Sequence, residues 1–98
     1  MKFLVLWKLD LGRVNEATAR AVARMPAYGE ALEQQGKVEC RYHVVGAHGG
    51  AWIYDVDSHE EFEALLGRAP VFNAATYTVY PLADMDMGVP APEARIAD

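Results

Sequence analysis

GKVECRYHVVGAHGGAWIYDV, residues 36–56, is the stretch that decides the fold. Two apolar-rich runs, residues 37–45 and 51–56, flank a tip of Gly46, Ala47, His48, Gly49 and Gly50. Glycine takes the positive φ angles that hairpin loops need, and the flanking runs carry the Val, Ile, Tyr and Trp that suit pleated backbone. The stretch reads as a β-hairpin. Alternation along its first strand sets Glu39, Arg41 and His43 on one face and Val38, Cys40, Tyr42 and Val44 on the other. Three ionisable side chains on one face line either solvent or a polar cavity, and the functional question is which.

Working outward toward the N-terminus, residues 2–9 read as a strand. Phe3, Val5, Trp7 and Leu9 share one face, and Leu4, Leu6 and Lys8 the other. Both faces are largely apolar, which predicts cover on both sides. Asn15 suits an N-cap, and residues 16–35 are rich in helix formers, with Ala17, Ala21, Val22, Met25 and Leu32 near one stripe. Pro26 is expected to kink or break this helix, with Gly29 a second weak point and Gly36 a C′ residue. Such a break either opens a pocket over the sheet or is only a break.

Beyond the hairpin, Ser58, His59, Glu60 and Glu61 form a capping-box pattern. Phe62, Leu65, Leu66 and Ala69 follow at helical spacing, and Pro70 ends the helix. Residues 71–74 connect to a strand over residues 75–82, marked by its Thr, Tyr and Val content. Residues 1–83 thus form one domain. Residues 84–98 form a Met-, Pro- and Ala-rich tail without periodicity, either flexible or packed on another subunit.

The order β-α-β-β-α-β predicts an α+β fold of ferredoxin-like type: a four-stranded antiparallel sheet with two helices on one face. The other sheet face needs cover that one chain does not supply, which predicts a homodimer or higher homo-oligomer.

Composition narrows the function. Hydrophobic residues at 52% and charged residues at 23% describe an ordinary globular chain of 98 residues. Of the net charge of −5, four acids and one Arg lie after Ala83, leaving ten acids and eight bases in the body. This is not the basic footprint of a nucleic-acid binder, and a small neutral or anionic organic ligand fits better. No apolar run is long enough to span a bilayer, so no membrane partner is expected. The opening MKFLVLWKLD is too short and too charged at its end for a leader, so a cytoplasmic protein is expected. The single Cys40 excludes an internal disulfide and a cysteine-based metal cluster. The three histidines lack metal-site spacing, so no metal is expected.

The sequence resembles the muconolactone isomerase family of the dimeric α+β barrel superfamily. The resemblance is carried by Gly36, by Val44-Val45-Gly46, by Tyr54-Asp55-Val56 with Ser58, and by Glu60 and Leu66. It continues through Pro70-Val71-Phe72, Val79 and Leu82. It implies a cytoplasmic oligomer that moves a double bond in an unsaturated lactone by proton transfer, with neither metal nor organic cofactor. Four positions depart from the family pattern: Leu4 and Leu6 stand where polar groups are expected, His43 replaces a basic residue, and His48 falls one place late. A related enolisable substrate of polyketide type is an equal expectation.

Proton transfer alpha to a carbonyl needs a base of suitable pKa, a group that holds the enolate, and a dry pocket. His43 is the candidate base, its ordinary pKa of about 6.5 lying near neutrality. Arg41 would pair with a carboxylate or an oxyanion, and Glu39 would orient the histidine or neutralise the arginine. The structural alternative is an Arg41–Glu39 pair in solvent at a charged sheet edge. Trp7, Trp52, Tyr54, Tyr77 and the loop residue His48 are candidate substrate contacts, with core packing as the alternative for the aromatics. Asp55 ranks below His43 as a base. Two other readings remain: a cofactor-free monooxygenase of aromatic polyketide-like substrates, and a non-catalytic binding or assembly subunit.

Overall fold

Eight residues from Lys2 to Leu9 form β1, around which the sheet is assembled. The computed structural model describes residues 1–88. After β1 come α1 (Glu16–Gln34), β2 (Val38–His43), β3 (Gly49–Asp55), α2 (His59–Gly67), β4 (Ala75–Leu82) and a short α3 (Met85–Gly88). The strands run in the order β2-β3-β1-β4, with every neighbouring pair antiparallel. This is the expected ferredoxin-like α+β architecture. The tail expected from residue 84 begins with α3, and residues 89–98 lie outside the described residues.

The alternation of β1 divides the sheet into two faces. Phe3, Val5 and Trp7 are buried in one core with Met25 and Leu32 of α1 and with Phe62 and Leu65 of α2, so both helices cover this inner face. Leu4 and Leu6, on the outer face, are half-buried beside their β3 partners Ile53 and Ala51. At one end of the inner layer Phe3 stacks on Phe62, with ring centroids 4.2 Å apart, and Tyr54 meets Phe62 edge-on at 5.4 Å. The Tyr28 hydroxyl donates to the Leu65 carbonyl and ties α1 to α2.

Local signals place the helix ends. The Asn15 side chain accepts from the Thr18 amide at 2.9 Å, and Gly36 takes φ +75° just past α1. The Glu61 amide donates to Ser58 Oγ at 3.0 Å, while the Glu61 carboxylate accepts from Asp57 N–H, one residue further back than a capping box requires. That bond, with Lys37 beside it, holds the Glu61 carboxyl below the ordinary carboxylate range.

Four expectations are corrected. Of the kink or break expected at Pro26 the break does not occur, since α1 is continuous from Glu16 to Gln34. Proline in a helix interior costs about 3 kcal/mol, and the burial of Met25 and Leu32 on either side holds the helix against that cost. The buried stripe is Thr18, Ala21, Met25, Gly29 and Leu32, whereas Ala17 and Val22 are exposed. The hairpin's first strand ends at His43: Val44 opens a turn closed by Ala47 N–H on its carbonyl, and Val45 is almost wholly exposed. Gly46 alone in that loop has a positive φ, while Gly49 and Gly50 belong to β3.

The fourth correction concerns β2. Val38 pairs with Tyr54 and Cys40 with Ile53, so Glu39 is an extra residue in a bulge. Opposed residues share a face, so Val38, Arg41 and His43 face inward with Tyr54, Trp52 and Gly50. Cys40 and Tyr42 face outward with Ile53 and Ala51. Simple alternation fails here because the bulge advances β2 by one residue.

Candidate active site

The bulge turns Arg41 and His43 toward the helices, and three small residues leave room for them. Gly29 of α1 is one: a Cβ there would lie 2.5 Å from Cδ and Nη1 of Arg41 and 2.8 Å from the Trp52 ring. Gly50 is another, and Pro26 closes the rim. Together Trp7, Pro26, Arg41, Tyr42, His43, Gly50 and Trp52 line a cleft of about 230 Å³.

Arg41 is fixed from three sides. Its Nε donates to Glu33 Oε1 at 2.9 Å, and its Nη2 lies 2.8 Å from the same oxygen. Its Nη1 donates to the Pro26 carbonyl at 3.3 Å, and its guanidinium carbon stands 5.6 Å from the centre of the Trp52 ring. Glu33 is the site residue that sequence reasoning missed. Its signal was its place on α1, four residues after Gly29 and next to the buried Leu32, which points it toward the sheet.

The row at the end of the sheet organises the rest. His43 pairs with Gly50, Gly50 with Trp7, and Trp7 with Tyr77, so four strands contribute one inward-facing residue each. His43 lies exposed at the cleft mouth, and Trp7 is buried deeper in. Trp7 and Trp52 meet edge-on at 6.4 Å.

The remaining candidates lie elsewhere. Glu39 is paired with Lys2 at 2.8 Å, and this contact raises the Lys2 pKa; Glu39 is not beside Arg41. Tyr54 is buried in the core, where desolvation drives its phenol pKa well up. Tyr77 is half-buried, with burial pushing its phenol up to about 12, and it does not line the cleft. His48 is exposed in the hairpin loop, where its carbonyl accepts from Leu9 N–H. Asp55 lies 3.8 Å from the terminal ammonium. Among the described residues, no three His, Cys, Asp or Glu side chains gather as a metal-binding group. No helix among them is long and apolar enough to cross a membrane.

Comparison with known proteins identifies the family. A family model described as muconolactone delta-isomerase matches residues 1–86. The chain belongs to the muconolactone delta-isomerase family. It is 41% identical over 84 residues to the muconolactone delta-isomerase of Cupriavidus pinatubonensis, covering 82% of this chain and 91% of the relative. It is 30% identical over 61 residues to the enzyme of that name from Rhodococcus opacus, covering 62% of this chain and 66% of the relative. The fold agrees with a crystal structure of muconolactone isomerase at a TM-score of 0.77 and 18% identity, covering 93% of this chain and 97% of that one. A 5-chloro-2-hydroxyhydroquinone dehydrochlorinase from Burkholderia phenoliruptrix shares the fold at a TM-score of 0.64 and 15% identity, covering 88% and 97%. In this member of the muconolactone delta-isomerase family, the inner cleft joins an imidazole, a braced guanidinium and two indoles.

Proposed function

We propose that this chain isomerises a small unsaturated lactone of the muconolactone type by proton transfer through an enolate, without metal or organic cofactor. The observation that carries the reading is the cleft itself, where a base-type residue and a fixed cation meet in a family of isomerases. At about 230 Å³ it is smaller than the ~300–1,000 Å³ typical of pockets for drug-sized ligands, which suits a single small ring. His43 takes the proton from the saturated ring carbon γ to the lactone carbonyl, at the far end of the conjugated double bond. The electron pair left behind spreads to the carbonyl oxygen, the double bond shifts, and the proton returns at the carbon alpha to that carbonyl. Arg41, braced by Glu33, attracts the substrate's carboxylate. Glu39 has no part in this scheme because Lys2 engages it.

With muconolactone in deuterated buffer, the product carries solvent deuterium and no oxygen is consumed. His43→Ala lowers kcat by about 100-fold or more. It changes stability by less than about 0.5 kcal/mol, because the side chain is exposed. A variant with wild-type turnover would remove His43 from the mechanism. Oxygen uptake would favour the monooxygenase reading, and the absence of any reaction a binding subunit.

A homo-oligomer belongs to the same proposal. The half-buried Leu4, Leu6, Ala51 and Ile53, flanked by exposed Tyr42 and Tyr80, form an apolar outer face suited to a second copy. Light scattering should give at least twice the mass of the chain; a monomeric mass at working concentration would refute it.

A further inference from the structure

Trp7 Nε1 is a buried hydrogen-bond donor without a partner among the described residues. Trp7 is only 9% exposed, and its N–H is shielded from solvent although the residue lines the cleft. Leaving such a donor unsatisfied costs on the order of 1–3 kcal/mol, and buried indole N–H groups ordinarily find an acceptor. Its position relates it to the cleft. Trp7 and Gly50 are cross-strand partners, and both line the cleft. A Cβ at Gly50 would lie 2.8 Å from Trp7 Nε1, 3.1 Å from Trp52 Nε1 and 3.0 Å from the Tyr42 carbonyl oxygen. The nitrogen edges of both indoles therefore converge over the one residue in the row that has no side chain.

His43 stands on the far side of the same glycine. Adjacent strands are about 4.8 Å apart, so the His43 and Trp7 backbones are roughly 10 Å apart with only Gly50 between them. That gap is a notch between a base and a donor. Enolate formation moves negative charge onto a carbonyl oxygen several bonds from the carbon that loses its proton. A preorganised donor at that oxygen lowers the barrier most when it is already dry and has no competing partner.

We infer that the Trp7 indole N–H donates to the substrate's carbonyl oxygen as charge develops there, and that Gly50 is the notch that admits that end of the ring. The inference rests on the isomerase reading of the cleft and adds to it the group that holds the enolate. No new bond chemistry is required: the proton moves as already described, and the N–H is shared without being transferred.

The chain has two tryptophans, so a ¹H–¹⁵N spectrum contains two indole signals, which Trp7→Phe and Trp52→Phe assign. The probe is 5-oxotetrahydrofuran-2-acetate, a saturated lactone acid that cannot isomerise. On titration the Trp7 indole proton moves downfield, and Gly50→Ala abolishes the movement by filling the notch. With muconolactone as substrate, Trp7→Phe lowers kcat by about 100-fold, in line with loss of one oxyanion donor, and changes KM little. An unmoved Trp7 signal at saturating probe would overturn the inference, as would undiminished probe binding by Gly50→Ala. If Trp7→Phe fails to fold, the titration of the wild-type protein with Gly50→Ala still decides. If the wild-type protein moves its Trp7 signal with the probe but does not turn over muconolactone, the donor stands and the isomerase reading falls. If it turns over muconolactone with the Trp7 signal fixed, the reverse holds.

Discussion

The layer between sheet and helices is closed at one end and open at the other. Around α2, Phe3, Tyr54 and Phe62 stack and interlock, and Val5, Val56 and Val71 are essentially inaccessible to solvent. Around the end of β2, the corresponding positions hold Gly29, Pro26 and Gly50, and the space they leave takes the Arg41 side chain and the cleft. The same sheet thus supports a dense aromatic core at one end of the layer and a polar recess at the other. Large rings exclude water and supply stability at the first. Small residues at the second give up packing, and charged and hydrogen-bonding groups face the cleft instead.

The contrast yields two tests of different size. Phe62→Ala should have the larger effect. Removing a buried ring from the closed end costs about 3–5 kcal/mol, read from the denaturant midpoint, while the folded fraction retains its activity. A loss below ~1 kcal/mol would mean that this end is not the stabilising one. Gly29→Ala probes the open end. Alanine gains about 1 kcal/mol of helix propensity over glycine, but its Cβ collides with Arg41 and the Trp52 ring, and overpacking costs ~1–3 kcal/mol. The net expectation is a loss of up to ~2 kcal/mol, with activity falling further than stability because Arg41 leaves its seat beside Glu33. A more stable and equally active variant would show that α1 does not need to approach β2 this closely.

The closed end was the more legible in the sequence. The spacing of Phe62 and Leu65, the Ser58 cap and the alternation of β1 are local patterns, and each has the meaning its period suggests. The open end depends on what is brought together from afar. Nothing in VECRYH marks Glu39 as supernumerary, because a bulge is defined by the partner strand. The glycines at 49 and 50 looked like turn residues. In the structure a Cβ at Gly49 would lie 1.8 Å from the Trp7 carbonyl oxygen, so that glycine answers to close approach between strands instead. Glu33 was hidden for the same reason: its importance comes from an arginine eight residues later on a different element. Arg41 and His43 were legible as a pair on one face, but their companion was assigned by a parity that the backbone does not keep.

That broken parity has a wider consequence. Had β2 kept step with β3, the imidazole and guanidinium would look away from the helices, and a thiol and a phenol would stand over the two indoles in their place. Which chemistry faces the cleft is therefore set by counting residues, with no change in side-chain inventory. Gain or loss of one amino acid near position 39 would exchange the whole reactive set in a single step, leaving the hydrophobic half of the molecule as it was.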